Sequence, residues 1–265
     1  MKKFLVIGNP IEHSLSPKLH NYWIKNNNIN AIYEKQKLNK DQLEEFISQV
    51  KDNKINGINV TVPFKKMVIP YLDELSVEAQ STQSVNTIYY KKDKVIGHNT
   101  DIEGFKNSIK NINFNLDKKK ILILGAGGVV SSIIFALNNF DVSKITVTNR
   151  TKSKAENLKK IFHNLEIIDW GAPLEFDVII NATSIGLDKD DNLDLNFSNI
   201  GKSKLFYDVI YNPKETNFLK KGKSLGNITV NGMMMFVYQA AASFKIWHNI
   251  SPKINNKVIK LLDND

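Results

Sequence analysis

Apolar positions along the first hundred residues come in two rhythms. Lys3–Ile7, a short apolar run, and Ala31–Leu38 read as strands. Ser16-Pro17 predicts a helix start, with Ser as the N-cap and Pro at the first helical position. Asn39 predicts another, capping a helix with Leu43, Phe46, Ile47 and Val50 on one face. Val85–Tyr90 and Lys94–Gly97 flank Lys91–Asp93 and read as a hairpin. Asp101 can cap a helix carrying Ile102, Phe105 and Ile109.

The run Asn59-Val60-Thr61-Val62-Pro63-Phe64-Lys65 departs from this pattern. Val60 and Val62 point one way along a strand, Asn59 and Thr61 the other, and Pro63 ends the ladder. An amide and a hydroxyl line one face, and a lysine follows just past the end. Two readings stand: an edge strand with a wet face, or one wall of a site for a polar small molecule.

A polar connector, residues 112–118, leads to a second pattern. Lys120–Leu124 is a continuous apolar strand, followed by Gly125-Ala126-Gly127-Gly128 and an apolar helix Val129–Leu137. Strands then read at Lys144–Thr148, Asp177–Asn181, Lys204–Val209 and Asn227–Val230, with a helix at Ser153–Phe162. Strands alternating with helices predict an α/β chain with a parallel, doubly wound sheet. Residues 232–248 and 252–262 read as closing helices.

Composition narrows the chemistry. With 265 residues the chain can hold one large or two medium domains. It has no cysteine, which excludes disulfides, thiolate metal sites and a cysteine nucleophile. The five histidines, His13, His20, His98, His163 and His248, show no metal-ligand spacing, so no metal site is expected. No apolar run approaches the ~18 residues of a membrane span, and the expected location is cytoplasmic. The net charge of +9 is spread over scattered lysines with no aromatic stripe, which argues against nucleic acid. It reads as lysine-rich composition, with steering of anionic small molecules as the second choice.

Within the glycine turn the backbone can approach a pyrophosphate at a helix N-terminus, although the third fingerprint position is Val130. An NAD site usually carries an acid at the end of the next strand. Here that strand runs into Arg150, Lys152 and Lys154, a cluster suited to a 2′-phosphate, which predicts NADP. Ser14 and Ser16 can jointly hold a carboxylate. Lys65 and Asp101 are the candidate acid/base pair, against the alternatives of a surface lysine and a simple N-cap. Asn86 is either a turn residue or a ligand contact, and Tyr211 follows a strand end. Gln239, inside an otherwise apolar helix, either ties helices together or reads a ligand.

Taken together, several segments resemble the shikimate dehydrogenase family along the whole chain. They are Gly8–Pro17, Asn59–Lys65, Val85-Asn86-Thr87, Asn99-Thr100-Asp101, Gly125–Gly128, Asn149-Arg150-Thr151, Asn181–Ser184, Tyr207–Tyr211 and Gln239-Ala240-Ala241. The resemblance implies hydride transfer from NADPH to the C3 carbonyl of 3-dehydroshikimate, giving shikimate, in aromatic amino-acid biosynthesis through chorismate. It implies that Ser14, Ser16 and Tyr211 hold the substrate carboxylate, and that Thr61, Asn86, Asp101 and Gln239 bind its hydroxyls, with Asn59 nearby. Lys65 would exchange the proton, paired with Asp101. Gly125, Ala126, Gly127, Gly128 and Val129 would cradle the pyrophosphate, with Asn149, Arg150, Thr151 and Lys154 at the 2′-phosphate end and Val209 and Gly232 beside the nicotinamide.

The family architecture further implies two domains. Residues 1–100 with 237–265 would bind substrate, and 101–236 would form a Rossmann-like NADP domain. The C-terminal helices would pack back on the first domain and the active site would be the cleft between the two. A monomer or homodimer is expected. Val77, Gln83-Ser84, Ile102, Ser131 and Met234 depart from the family pattern, and none is in the proposed acid/base pair. Dual NAD/NADP use with quinate, and a non-catalytic ligand sensor on this fold, are the competing expectations.

Overall fold

A computed structural model describes residues 1–172 and 175–263. In chain order it contains β1 (Lys2–Gly8), α1 (Ser16–Asn26), β2 (Ala31–Lys37), α2 (Leu43–Lys51), β3 (Gly57–Val60), β4 (Glu74–Leu75), α3 (Val77–Thr82), β5 (Thr87–Lys91), β6 (Lys94–His98) and α4 (Asp101–Asn111). There follow β7 (Lys120–Leu124), α5 (Val130–Leu137), β8 (Lys144–Thr148), α6 (Lys152–Lys159), β9 (Leu165–Ile167), β10 (Val178–Asn181), β11 (Leu205–Asp208), α7 (Asn217–Ser224), β12 (Ile228–Val230), α8 (Met233–His248) and α9 (Asn256–Asp263). No helix among the described residues is long and apolar enough to cross a membrane.

The chain divides into two compact units, Met1–Gly104 with Val237–Asp265, and Phe105–Phe236. The division falls inside α4, later than the expected break at 100/101. Asp101 therefore belongs to the first unit, where Lys65 and Asn86 hold its carboxylate.

The first unit is built on a six-stranded mixed sheet in the order β2-β1-β3-β5-β6-β4. β1 pairs in parallel with β2 and β3, while β3, β5 and β6 run antiparallel in succession. Leu5, Ile7, Ile58, Val60 and Ile88 pack from the sheet against Leu43, Ile47 and Val50 of α2. The β5–β6 turn places Lys92 and Asp93 at φ 51° and 59°, the left-handed pair that a two-residue hairpin needs. α8 returns to this unit: Trp247 donates its indole N–H to the Ile88 carbonyl, and a Cβ on Gly57 would lie 2.3 Å from that nitrogen. α9 lies near α1, where Trp23 donates to the Lys253 carbonyl.

The second unit holds a six-stranded, all-parallel sheet in the order β12-β11-β10-β7-β8-β9. Strand order reverses between β7 and β10, so a crevice opens at their carboxyl ends, the position where doubly wound sheets bind ligands. The β7 and β8 runs match the sequence reading residue for residue, because both are apolar blocks with abrupt polar ends.

Three local expectations are corrected. β3 is no wet edge: it lies between β1 and β5 and all of Gly57–Val60 is buried. The strand stops at Val60, because Phe64 N–H closes a turn onto the Thr61 carbonyl, and Val62 stands 61% exposed instead of sharing the face of Val60. Ser16 is not the N-cap of α1. Leu15 occupies that place, and Ser14 Oγ accepts from the Ser16 N–H at 3.3 Å. Asp101 does not cap α4 with its carboxylate. Asn99 Oδ1 accepts from the Asp101 N–H at 3.1 Å and leaves the carboxylate for other partners. Four elements, β4, α3, β9 and α7, had no expectation at all. β4 and β9 are too short to show a period, and α7 buries only Phe218, Leu219 and Gly222.

Because α8 seats Trp247 against Gly57, Gly57→Ala is expected to lower stability by about 1–3 kcal/mol. A thermal or urea unfolding curve unchanged by this substitution would contradict the packing of α8 on β3.

Candidate functional site

The chemistry of the first unit centres on an ion pair almost removed from solvent. Lys65 Nζ lies 2.5 Å from Asp101 Oδ2, with the two side chains 12% and 7% exposed. Local structure fixes both ends. Val85 N–H donates to the Lys65 carbonyl at 2.8 Å, and Phe64, buried beside it, anchors the turn. Asp101 opens α4, held by the Asn99 cap. The surface-lysine alternative for Lys65 is thereby excluded.

Asn86 supplies the second contact to the carboxylate. Its Nδ2 donates to Asp101 Oδ1 at 2.9 Å and approaches Gln239 Oε1 at 3.3 Å, while its Oδ1 accepts from the Thr100 N–H at 2.8 Å. A backbone N–H can only donate, so the orientation of this carboxamide is determined. Gln239 reaches the same cluster from α8. Thr61 is half-buried, and its hydroxyl has no protein partner among the described residues. Ser16 is buried and hydrogen-bonds the Tyr33 phenol, and Ser14 is partly exposed.

Asn59, expected near the substrate hydroxyls, is also part of the framework around the pair. It is 5% exposed, and both ends of its carboxamide are engaged internally. Oδ1 accepts from the Tyr33 hydroxyl at 2.7 Å, and Nδ2 faces the Asn86 carbonyl, Thr87 Oγ1 and Ser243 Oγ at 3.0, 3.2 and 3.0 Å. The sequence reading did not single out Tyr33, Ser243 or the hydroxyl of Thr100. Their signal is only that small polar residues interrupt apolar runs, and their partners lie far away in the chain.

In the second unit, Gly125-Ala126-Gly127-Gly128-Val129 joins β7 to α5 at the strand-order reversal. Gly125 has φ +112°, and a Cβ there would meet the Ala182 carbonyl oxygen of the β10 end at 2.9 Å. Only glycine satisfies both demands. A Cβ on Gly127 would meet nothing within 4 Å, so this backbone faces open space. The helix begins at Val130, not Val129, and its first turn carries no acid. Ser131 and Thr148 place buried hydroxyls without a partner near this turn. These features fit a pyrophosphate at the start of α5.

Beyond β8, Asn149 Nδ2 donates to the Thr151 carbonyl at 2.8 Å, which shapes the turn into α6. Arg150 and Lys154 are exposed and have no carboxylate partner among the described residues. Lys152 is different: Asp169, arriving after β9, pairs with it at 2.7 Å. That acid was not anticipated, because it comes from another strand end. Two unpaired cations remain for a phosphate.

Val209 and Gly232 come together as a pair. A Cβ on Gly232 would sit 2.0 Å from the Val209 carbonyl oxygen, so no side chain fits there. Tyr211 belongs to this unit and stacks on Phe236 with ring centroids 4.6 Å apart. Beneath Val209, Asp208 is fully buried, and burial pushes its carboxyl up to about 6. Thr216 Oγ1 donates to it at 2.6 Å, the Ile210 N–H at 3.0 Å and Asn181 Nδ2 at 3.2 Å.

A doubly wound sheet with this glycine turn, and a buried lysine–carboxylate pair on a separate unit, define a dinucleotide-dependent oxidoreductase acting on a small polar substrate. Residues 6–88 match the shikimate dehydrogenase substrate binding domain, and residues 107–209 match the shikimate / quinate 5-dehydrogenase family. The shikimate dehydrogenase (NADP(+)) of Pelagibacter ubique is 60% identical over 262 residues, covering 99% of each chain. The crystal structure of shikimate dehydrogenase from Aquifex aeolicus superposes with a TM-score of 0.92 at 36% identity, covering 100% of this chain and 98% of that one. The Thermus thermophilus shikimate 5-dehydrogenase, solved in complex with NADP(H) and shikimate, gives a TM-score of 0.88 at 30% identity, with 96% and 95% covered. The chain belongs to the shikimate dehydrogenase family.

The raised Asp208 carboxyl makes stability depend on pH. The folded chain keeps this proton to higher pH than the unfolded chain. The contribution is therefore full below pH 4 and lost as pH rises through about 6. The buried imidazole of His20 and the half-buried one of His248, lowered to about 3 and 4 chiefly by desolvation, act in the opposite direction, losing stability as pH falls below 6.5. Their effect cancels in a comparison with Asp208→Asn. From pH 4 to pH 7.5 that variant should gain roughly 3 kcal/mol relative to the parent chain. Urea unfolding at the two pH values measures this, and a difference that does not change with pH would contradict it.

Proposed function

We propose that this chain catalyses the reversible NADPH-dependent reduction of 3-dehydroshikimate to shikimate, with Lys65 and Asp101 as the acid/base pair. The observation that carries this reading is the nearly buried Lys65–Asp101 contact, set among polar groups on an otherwise apolar sheet. NADPH, when bound, supplies the hydride to the C3 carbonyl. Lys65 donates a proton from Nζ as negative charge develops on the substrate oxygen, and recovers it in the reverse direction. Asp101 orients the ammonium and accepts from a substrate hydroxyl.

In this reading Ser14, Ser16 and Tyr211 hold the substrate carboxylate, and Thr61, Asn86 and Gln239 join Asp101 on the hydroxyls. The unpartnered Thr61 hydroxyl supports its place in that set. Ser16 exchanges its bond with Tyr33 for one with the carboxylate. Gly125–Val129 hold the pyrophosphate. Asn149, Arg150, Thr151 and Lys154 hold the 2′-phosphate, and Val209 and Gly232 lie beside the nicotinamide. The substrate belongs to the route through chorismate to aromatic amino acids. A cytoplasmic location and a monomeric or homodimeric state complete the reading.

Dual use of NAD and NADP, with quinate as a further substrate, has one observation in its favour: Asp169 neutralises Lys152 beside the expected phosphate position. Against it stand Arg150 and Lys154. Two charge-assisted hydrogen bonds of roughly 1.5–3 kcal/mol each favour NADP by at least ~100-fold. Initial rates of dinucleotide reduction with shikimate and with quinate, each with NADP and NAD, test both readings. The expected result is fast NADP reduction with shikimate and a kcat/KM at least ~100-fold lower with NAD. Comparable values for the two dinucleotides would overturn the NADP assignment. No turnover with any pairing would leave the non-catalytic sensor.

A further inference from the structure

Beside the acid/base pair lies a set of buried hydroxyls and carboxamides that makes no hydrogen bond to the Lys65 ammonium. Its centre is Ser243, fully buried on α8 one turn after Gln239. The Ser243 hydroxyl donates to the Gln239 carbonyl at 3.1 Å. It accepts from Asn59 Nδ2 at 3.0 Å, and Thr87 Oγ1 and Thr100 Oγ1 approach it at 2.7 and 3.1 Å. Asn59 cannot be reversed, because its Nδ2 also faces the Asn86 carbonyl, which only accepts. Thr87 and Thr100 then have three places for their hydroxyl protons: Ser243 Oγ, Asn86 Oδ1 at 3.0 and 3.1 Å, or each other at 3.4 Å.

The consequence falls on Asn86. Its Oδ1 already accepts from the Thr100 N–H, and it must keep that orientation for Nδ2 to face the Asp101 carboxylate. Reversed, the amide would set its oxygen against a carboxylate oxygen. With one lone pair held by Asn59, Ser243 takes up one threonine hydroxyl proton that would otherwise crowd onto Asn86 Oδ1, and it ties the helix carrying Gln239 to the strands carrying Asn59 and Thr87. Such a group has no direct part in chemistry, yet it fixes the geometry of groups that do.

We propose that Ser243 is a positioning residue for the acid/base pair, acting through Thr87, Thr100 and Asn59 on the carboxamide that orients Asp101. This role rests on the reading of Lys65 and Asp101 given above. A residue of this kind sets the rate of proton transfer more than the affinity for the dinucleotide.

The test compares the full chain with Ser243→Ala, Thr87→Val and the double variant. Initial rates of NADP reduction by shikimate are measured in H2O and in D2O, with a thermal melt of each protein. Each single variant is expected to lower kcat by roughly ten- to a hundredfold. KM for NADP should stay within about twofold and the solvent isotope effect on kcat should rise, as expected when a transition-state interaction is lost. The double variant should resemble the worse single one, because the two hydroxyls act as a unit. Folded variants with a near-parental kcat and an unchanged isotope effect would overturn the proposal, as would losses that simply multiply. If Ser243→Ala does not fold, Thr87→Val decides alone, since it removes the partner hydroxyl from the strand side. Absence of turnover in the parent chain would instead overturn the reading of the site, and the positioning role with it.

Discussion

An ammonium and a carboxylate nearly out of solvent are compatible with a stable fold only if their remaining protons and lone pairs find partners. The Lys65–Asp101 pair imposes that demand, and much of the first unit answers it. Asn86 gives its N–H to the free carboxylate oxygen. The backbone of Thr100 and the side chain of Asn99 fix the start of the helix that carries Asp101. Asn59 sits beside Thr87 in the β3–β5 register and directs its amide inward, where a sheet position would ordinarily hold an aliphatic side chain. Tyr33, Ser243 and the two threonines complete the set. The sheet, the hairpin and α8 each contribute to one polar cluster inside an apolar core.

The second unit answers a different constraint, close approach to a backbone. Gly125 turns at a positive φ beneath the end of β10, and Gly127 presents bare backbone to open space. Gly232 meets the Val209 carbonyl so closely that even a methyl group is excluded. Past the carboxyl end of β8, the neighbour of β7, Arg150 and Lys154 stand without a carboxylate partner among the described residues while Asp169 takes Lys152. Glycine, and cations without partners, are the residue types that dinucleotide recognition requires.

Much of this was legible in the chain. Continuous apolar runs ended by Gly or Asn located β7 and β8 to the residue, and the glycine turn and the cation-bearing strand end pointed to NADP. Lys65, Asp101, Asn86 and Gln239 each had a bland alternative when taken alone and drew their roles from the family resemblance, and the first unit brings all four together. What could not be read is what depends on distant partners. The polar face of β3 left a wet edge and a site wall both open, because the partner of Asn59, Ser243, lies 184 residues further on. Ser16 looked like a cap because Pro17 follows it, whereas its hydroxyl meets Tyr33 across the unit. Asp169 reaches Lys152 from just past a strand of three residues, which is too short to show a period.

The account depends on Lys65 acting in the transition state and not as a structural cation. Its most direct test is the steady-state kinetics of Lys65→Ala with shikimate and NADP. The loss of a general acid/base should lower kcat by roughly 10²–10⁴-fold while KM for shikimate changes no more than several-fold. A variant with near-parental kcat would contradict the assignment.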